Sequence, residues 1–100
     1  MALVHRTDEF DKWLKGLPDQ RGKAKILVRI ERLEAGNPGD VRPVGEGVSE
    51  LRIPFGPGYR VYYRRRSDQI YLLCGGDKDS QNTDVKKAMT LARKLGDPKP

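Results

Sequence analysis

The sequence predicts an α+β fold, and three observations carry that expectation. Apolar residues recur at helical spacing up to about Ala35, alternate with a period of two from Val48 to Cys74, and return to helical spacing after Ser80. A run of helices followed by a run of strands marks an α+β layer design, with the helices on one face of an antiparallel sheet. At 100 residues the chain has the size of one domain, able to bury roughly 60–70% of its unfolded surface. One domain over 1–96 and a frayed tail at 97–100 are expected.

The elements follow in order. Leu3-Val4-His5-Arg6-Thr7 suits a short N-terminal strand at a sheet edge. Asp8 or Thr7 can cap a first helix whose stripe is Phe10, Trp13, Leu14 and Leu17. Gly16 and Leu17-Pro18-Asp19 end it. A second helix runs from about Asp19 to Ala35, with Ile26, Leu27, Ile30 and Leu33 on its apolar face, and Gly36-Asn37-Pro38-Gly39 stops it. The two helices are expected to lie antiparallel.

A three-stranded antiparallel meander comes next. Leu51, Ile53 and Phe55 share one face of its first strand, and Glu50 and Arg52 share the other. After the turn residues Gly56-Pro57-Gly58, Tyr59, Val61 and Tyr63 oppose Arg60, Tyr62 and Arg64. Ile70 to Cys74 reads as a buried central strand, with Cys74 a small buried hydrophobe. A C-terminal helix then carries Val85, Ala88, Met89, Ala92 and Leu95.

Charge narrows the function classes. Twenty Lys and Arg against fourteen Asp and Glu give a net charge of +6, which favours a polyanion or an acidic partner. One cysteine excludes an internal disulfide, and one cysteine with one histidine is too few for a usual structural zinc site. No segment approaches the ~20 apolar residues of a membrane span. The N-terminus also lacks a signal-peptide core, so a cytoplasmic location and no membrane partner are expected. Gly75-Gly76-Asp77-Lys78 lacks the spacing of a nucleotide phosphate loop, and no Ser/His/Asp set can be assembled. His5, Trp13 and Tyr71 read as structural.

Strand parity makes the meander's polar residues a single surface. A slip of one residue turns every side chain over, so the apolar faces coincide only when paired positions sum to an even number. The pairing of Phe55 with Tyr59 satisfies this and would set Arg52 opposite Tyr62 and Glu50 opposite Arg64. In any even register Glu50, Arg52, Arg60, Tyr62 and Arg64 lie together, with Lys78 at the rim and Arg65 and Arg66 extending the basic run. Guanidinium forks match phosphate oxygens, and a tyrosine among them offers a ring for base stacking. The same pattern also describes an ordinary solvated sheet face.

Glu50-Leu51-Arg52, Gly58-Tyr59-Arg60-Val61-Tyr62-Tyr63 and the run Leu72-Leu73-Cys74-Gly75-Gly76-Asp77-Lys78-Asp79-Ser80-Gln81, with Asp84 and Ala88, resemble the RelE/ParE toxin superfamily. Within it the chain is similar to the addiction module killer protein branch, near HigB-type toxins. The resemblance spans Phe10 to Ala92 and implies a RelE-like single domain. It further implies the toxin of a type II toxin–antitoxin pair, held inactive by a cognate antitoxin protein of the helix-turn-helix type. The implied activity is a metal-independent mRNA endoribonuclease (mRNA interferase) that works on the ribosome, inhibits translation and needs no cofactor.

The resemblance also implies roles. Arg52 and Arg60 would bind the scissile phosphate, Lys78 would assist there or at the leaving oxygen, and Tyr62 would orient a base. Glu50 would position Arg52, the favoured role, or act as a proton acceptor. The basic run Arg64, Arg65 and Arg66, read from the sequence itself, would hold RNA. After Ser80 there is no aromatic residue or histidine, so the C-terminal catalytic residue of the well-known RelE-like nucleases has no counterpart. ParE-like members of the superfamily imply an alternative, a DNA gyrase poison without nuclease activity.

Overall fold

Two side-chain caps decide where the first helices begin. Thr7 Oγ1 accepts a hydrogen bond from the Phe10 amide at 3.1 Å and starts α1 (Asp8–Gly16). Asp19 Oδ1 accepts from the Gly22 amide at 2.9 Å and starts α2 (Gln20–Glu34). Each cap satisfies an amide that the first turn leaves without a partner. The computed structural model describes residues 2–95, so the expected tail at 97–100 lies outside the described residues. Gly22 weakens helix propensity for a reason: a Cβ there would lie 2.7 Å from the Tyr59 ring. The glycine lets α2 press against the sheet. Gly36, at φ +89°, ends the helix as expected.

One five-stranded mixed sheet holds the rest, in the order β1-β5-β4-β3-β2. Its strands are β1 (Leu3–Arg6), β2 (Val41–Gly45), β3 (Val48–Ile53), β4 (Tyr59–Arg66) and β5 (Gln69–Gly76). β3, β4 and β5 form the expected antiparallel meander, and β1 pairs in parallel with β5. β2 adds an edge strand that the alternation did not reveal. Pro43 and Gly45 interrupt its pattern, and a proline is tolerated where only one side of a strand is paired. Glu46 (φ +52°) and Gly47 (φ +79°) make the left-handed two-residue turn into β3.

The β3–β4 register keeps the expected parity but is shifted by two. Ile53, not Phe55, pairs with Tyr59, which places Arg52 opposite Arg60 and Glu50 opposite Tyr62. Pro54 has no amide to give the ladder, and the Phe55 amide turns back to the Ile53 carbonyl at 2.8 Å. The connection is therefore residues 54–58.

The helices occupy both faces of the sheet, which corrects the expected one-sided layering. Phe10 and Leu14 of α1, with Ile26, Ile30 and Leu33 of α2, bury the face of Leu51, Val61, Tyr63, Ile70 and Leu72. Ala88 and Ala92 of α3 (Gln81–Leu95) pack on the opposite face, against Val48, Tyr62, Leu73 and Cys74. A bulge explains why that face is apolar enough to be covered. Tyr62 pairs with Cys74 and Tyr63 with Leu72, leaving Leu73 as an extra residue that joins Cys74 beneath α3. Leu27, expected in the core, is 37% exposed on the outer side of α2. No helix among the described residues is long and apolar enough to cross a membrane.

Candidate nucleic-acid interface

At the end of the sheet that leads into the 54–58 loop, Arg52 and Arg60 stand opposite each other across the β3–β4 ladder. Like charges in that relation repel unless each is compensated. Two different carboxylates do so. Arg52 Nε lies 3.4 Å from Asp40 Oδ2 near the surface, and Arg60 Nε lies 3.5 Å from Glu50 Oε2 inside. Arg60 also donates from Nη1 to the Gly58 carbonyl at 3.1 Å, which turns its guanidinium toward the loop. Asp40, Arg52, Pro54, Gly58, Tyr59 and Arg60 line a shallow cleft of about 130 Å³ there. Lys78 is exposed beside it, with its Cβ packed near Gly58 and its amide donating to the Pro57 carbonyl at 3.4 Å.

Beneath this cleft is a buried polar cluster. Glu50 is wholly inaccessible, and its Oε2 accepts from Tyr62 Oη at 3.0 Å and from Gln81 Nε2 at 2.9 Å. Glu50 Oε1 and Arg60 Nε, both buried, have no hydrogen-bond partner among the described residues. Burial, reinforced by the Glu50 charge, pushes the Tyr62 phenol far above its ordinary value and keeps it protonated. Two expectations are corrected here. Tyr62 is fully buried and cannot stack on a base, because α3 covers the face that strand parity assigned to it. Glu50 pairs with Arg60 rather than Arg52, since the two-residue register shift brings the Arg60 guanidinium to it.

Gln81 is the site residue that sequence reasoning missed. It lies 31 positions from Glu50 and begins α3, so only the tertiary fold brings its amide to that carboxylate. Asp77 and Ser80 set its place: Asp77 Oδ1 accepts from the Asp79 and Ser80 amides at 2.9 and 3.2 Å, and Ser80 Oγ donates to Asp84. The last position of β5 leaves no room for a side chain, since a Cβ on Gly76 would lie 1.8 Å from Asp84 Oδ2.

Arg64, Arg65 and Arg66 lie at the other end of β4, four to six residues from Arg60 and so about 13–20 Å away along an extended strand. Arg64 donates to the Ala92 carbonyl at 3.1 Å and ties β4 to α3, while Arg65 donates to the Ser67 carbonyl at 3.1 Å. With Ser67, Gln69 and Tyr71 the three arginines border a separate groove of about 790 Å³. Tyr71 stacks on His5 at 4.8 Å between centroids, and His5 is hydrogen-bonded to Gln69, so the two rings pack on each other beside this groove. The residues expected to form one surface thus divide into two basic patches with a buried polar centre between them. Among the described residues no three His, Cys, Asp or Glu side chains gather as a metal-binding set.

The model of the family described as "Phage derived protein Gp49-like (DUF891)" matches residues 12–96. The chain belongs to this Gp49-like family. It is also 49% identical over 94 residues to an uncharacterized protein of Haemophilus influenzae (strain ATCC 51907 / DSM 11121 / KW20 / Rd), a match covering 93% of this chain and 95% of that one. The Gp49-like match begins in α1 and takes in Glu50, Arg52, Arg60, Lys78 and Gln81.

Proposed function

We propose that this Gp49-like protein is a toxin of the RelE/ParE superfamily, close to the HigB-type branch, and the partner of a cognate helix-turn-helix antitoxin. Its activity in this reading is metal-independent cleavage of messages being translated on the ribosome in the cytoplasm, by a single domain of residues 1–96. The observation that carries the reading is the Arg52–Arg60 cross-strand pair, held at the end of the sheet by two separate carboxylates. A phosphate placed between the two guanidiniums relieves their repulsion and receives donors from both.

In the reaction the RNA 2′-oxygen attacks its own phosphorus and the P–O5′ bond breaks, leaving a cyclic phosphate and a 5′-hydroxyl. The attacking hydroxyl loses a proton to solvent and the leaving oxygen gains one. Negative charge grows on the phosphoryl oxygens, where Arg52 and Arg60 stabilise it, with Lys78 at the rim. Glu50, Tyr62 and Gln81 act indirectly by holding Arg60. The basic groove at Arg64–Arg66 then receives RNA away from the cut.

Primer extension across translated messages after induced expression tests this. Wild type is expected to cut within minutes. Arg52→Ala and Lys78→Ala, both near the surface, should keep the fold and lose about 10²–10³-fold in cleavage rate. Growth arrest with intact messages and accumulated double-strand DNA breaks would overturn it in favour of gyrase poisoning. Absence of growth arrest would reduce the protein to a binding module.

A further inference from the structure

We propose that the groove between α2 and the 54–58 loop docks an acidic, amphipathic segment of a partner protein. The groove holds about 380 Å³, enough for one or two aliphatic side chains; Val28, Pro54 and Phe55 contribute apolar surface and Lys25, Arg29 and Arg32 a basic rim. The proposal rests on the toxin reading only for the partner's identity as the antitoxin.

Three observations support it. Val28, which lines the groove, is 45% exposed, although Ile26, Ile30 and Leu33 already complete the core face of α2. A surface helix normally carries polar residues on that outer side. Second, none of the three rim cations has an ion-pair partner among the described residues, and no acidic side chain lines the groove. Arg29 is immobilised by the carbonyls of Arg52 (2.6 Å) and Pro38 (2.9 Å), so its charge is fixed in place without a carboxylate. Lys25 Nζ sits 5.1 Å from the Phe55 ring centroid, ready to bridge that ring and an incoming carboxylate. Third, the groove adjoins the candidate site: Ile53 and Pro54 line both it and the Arg52–Arg60 cleft.

The occupant's chemistry follows. A second copy of this chain would bring the same basic rim against itself at a net charge of +6 each. Nucleic acid matches the rim but leaves Val28 without an apolar partner. An acidic helix with aliphatic anchors satisfies both. Seated there, it would also restrain the Pro54 corner next to Arg52.

Isotope-labelled full-length protein titrated with a synthetic peptide tests the docking by amide shifts. The peptide is a glutamate-rich helix of about sixteen residues with leucines on one face; a shuffled peptide of equal composition, lacking that face, is the control. The expected result is perturbation centred on Ala24, Val28, Arg32 and Phe55, with binding weakened at least ~10-fold by Val28→Asp and by Arg32→Glu, both folded by thermal melt. Equal binding of the shuffled peptide, perturbation confined to Arg64–Arg66, or displacement from these amides by an RNA oligonucleotide would each overturn the proposal. Growth arrest on induction is read separately: Val28→Asp should retain it, and its loss in wild type bears on the toxin reading alone.

Discussion

Glu50 Oε2 lies 3.5 Å from Arg60 Nε, diagonally across the β3–β4 ladder, with the carboxylate wholly buried and the guanidinium side chain 12% exposed. The pair joins the core under α3 to the cleft at the sheet's end. It makes Arg60 both a candidate phosphate ligand and the counter-ion of an interior charge.

Arg60→Ala therefore strands a buried carboxylate and should cost about 3–5 kcal/mol in urea denaturation. Removing both charges at similar volume, in Glu50→Gln/Arg60→Met, should recover most of that loss. Equal stability of Arg60→Ala and wild type would show the pair is uncoupled. The same reasoning makes Arg52→Ala the better test of chemistry, because its partner Asp40 is exposed.

Gly75 and Gly76 should not tolerate alanine. A Cβ on Gly75 would lie 2.2 Å from the Trp13 ring, and one on Gly76 1.8 Å from Asp84 Oδ2. Each substitution is expected to destabilise by about 1–3 kcal/mol through overpacking, read as a lower thermal midpoint. Gly76→Ala should also weaken activity at unchanged RNA binding, since it displaces the loop that presents Gln81.

Burial, with the Asp84 charge adding to it, pushes the Cys74 thiol from 9.0 up to about 12. The folded protein holds this proton where the unfolded chain has lost it. The thiol's contribution to stability is thus complete below pH 9.0 and declines as the pH rises toward about 12. Native protein should resist thiol-directed alkylation at mildly alkaline pH and react on unfolding. Rapid labelling without loss of structure would contradict this.

Asp19 is held below its ordinary 3.8 by the Gly22 amide and then by the Tyr59 hydroxyl. Its charged form is favoured by folding, so its contribution is full above pH 3.8 and lost as the pH falls through the lower folded value. Asp19→Asn keeps a capping oxygen without the charge. Its gap in Tm from wild type should be widest near neutral pH and close in acid; a gap independent of pH would exclude the charge as its source.

Local periodicity alone determined the three helices, the meander and which residues of β3 and β4 share a face. Those features rest on neighbours within a few positions, where side-chain direction is dictated by helix or strand geometry. Parity is of this kind, and it held through a register shift of two. The register itself was decided by the 54–58 loop, where Pro54 cannot continue the ladder. What covers each face was decided by the tertiary structure. The Leu73 bulge turns two apolar residues toward α3, which buries Tyr62 and Glu50 and brings Gln81 to them from across the chain. Burial is a relation between distant segments, so no spacing in β3 or β4 distinguishes a solvated arginine face from one whose centre is sealed and whose two ends alone remain open.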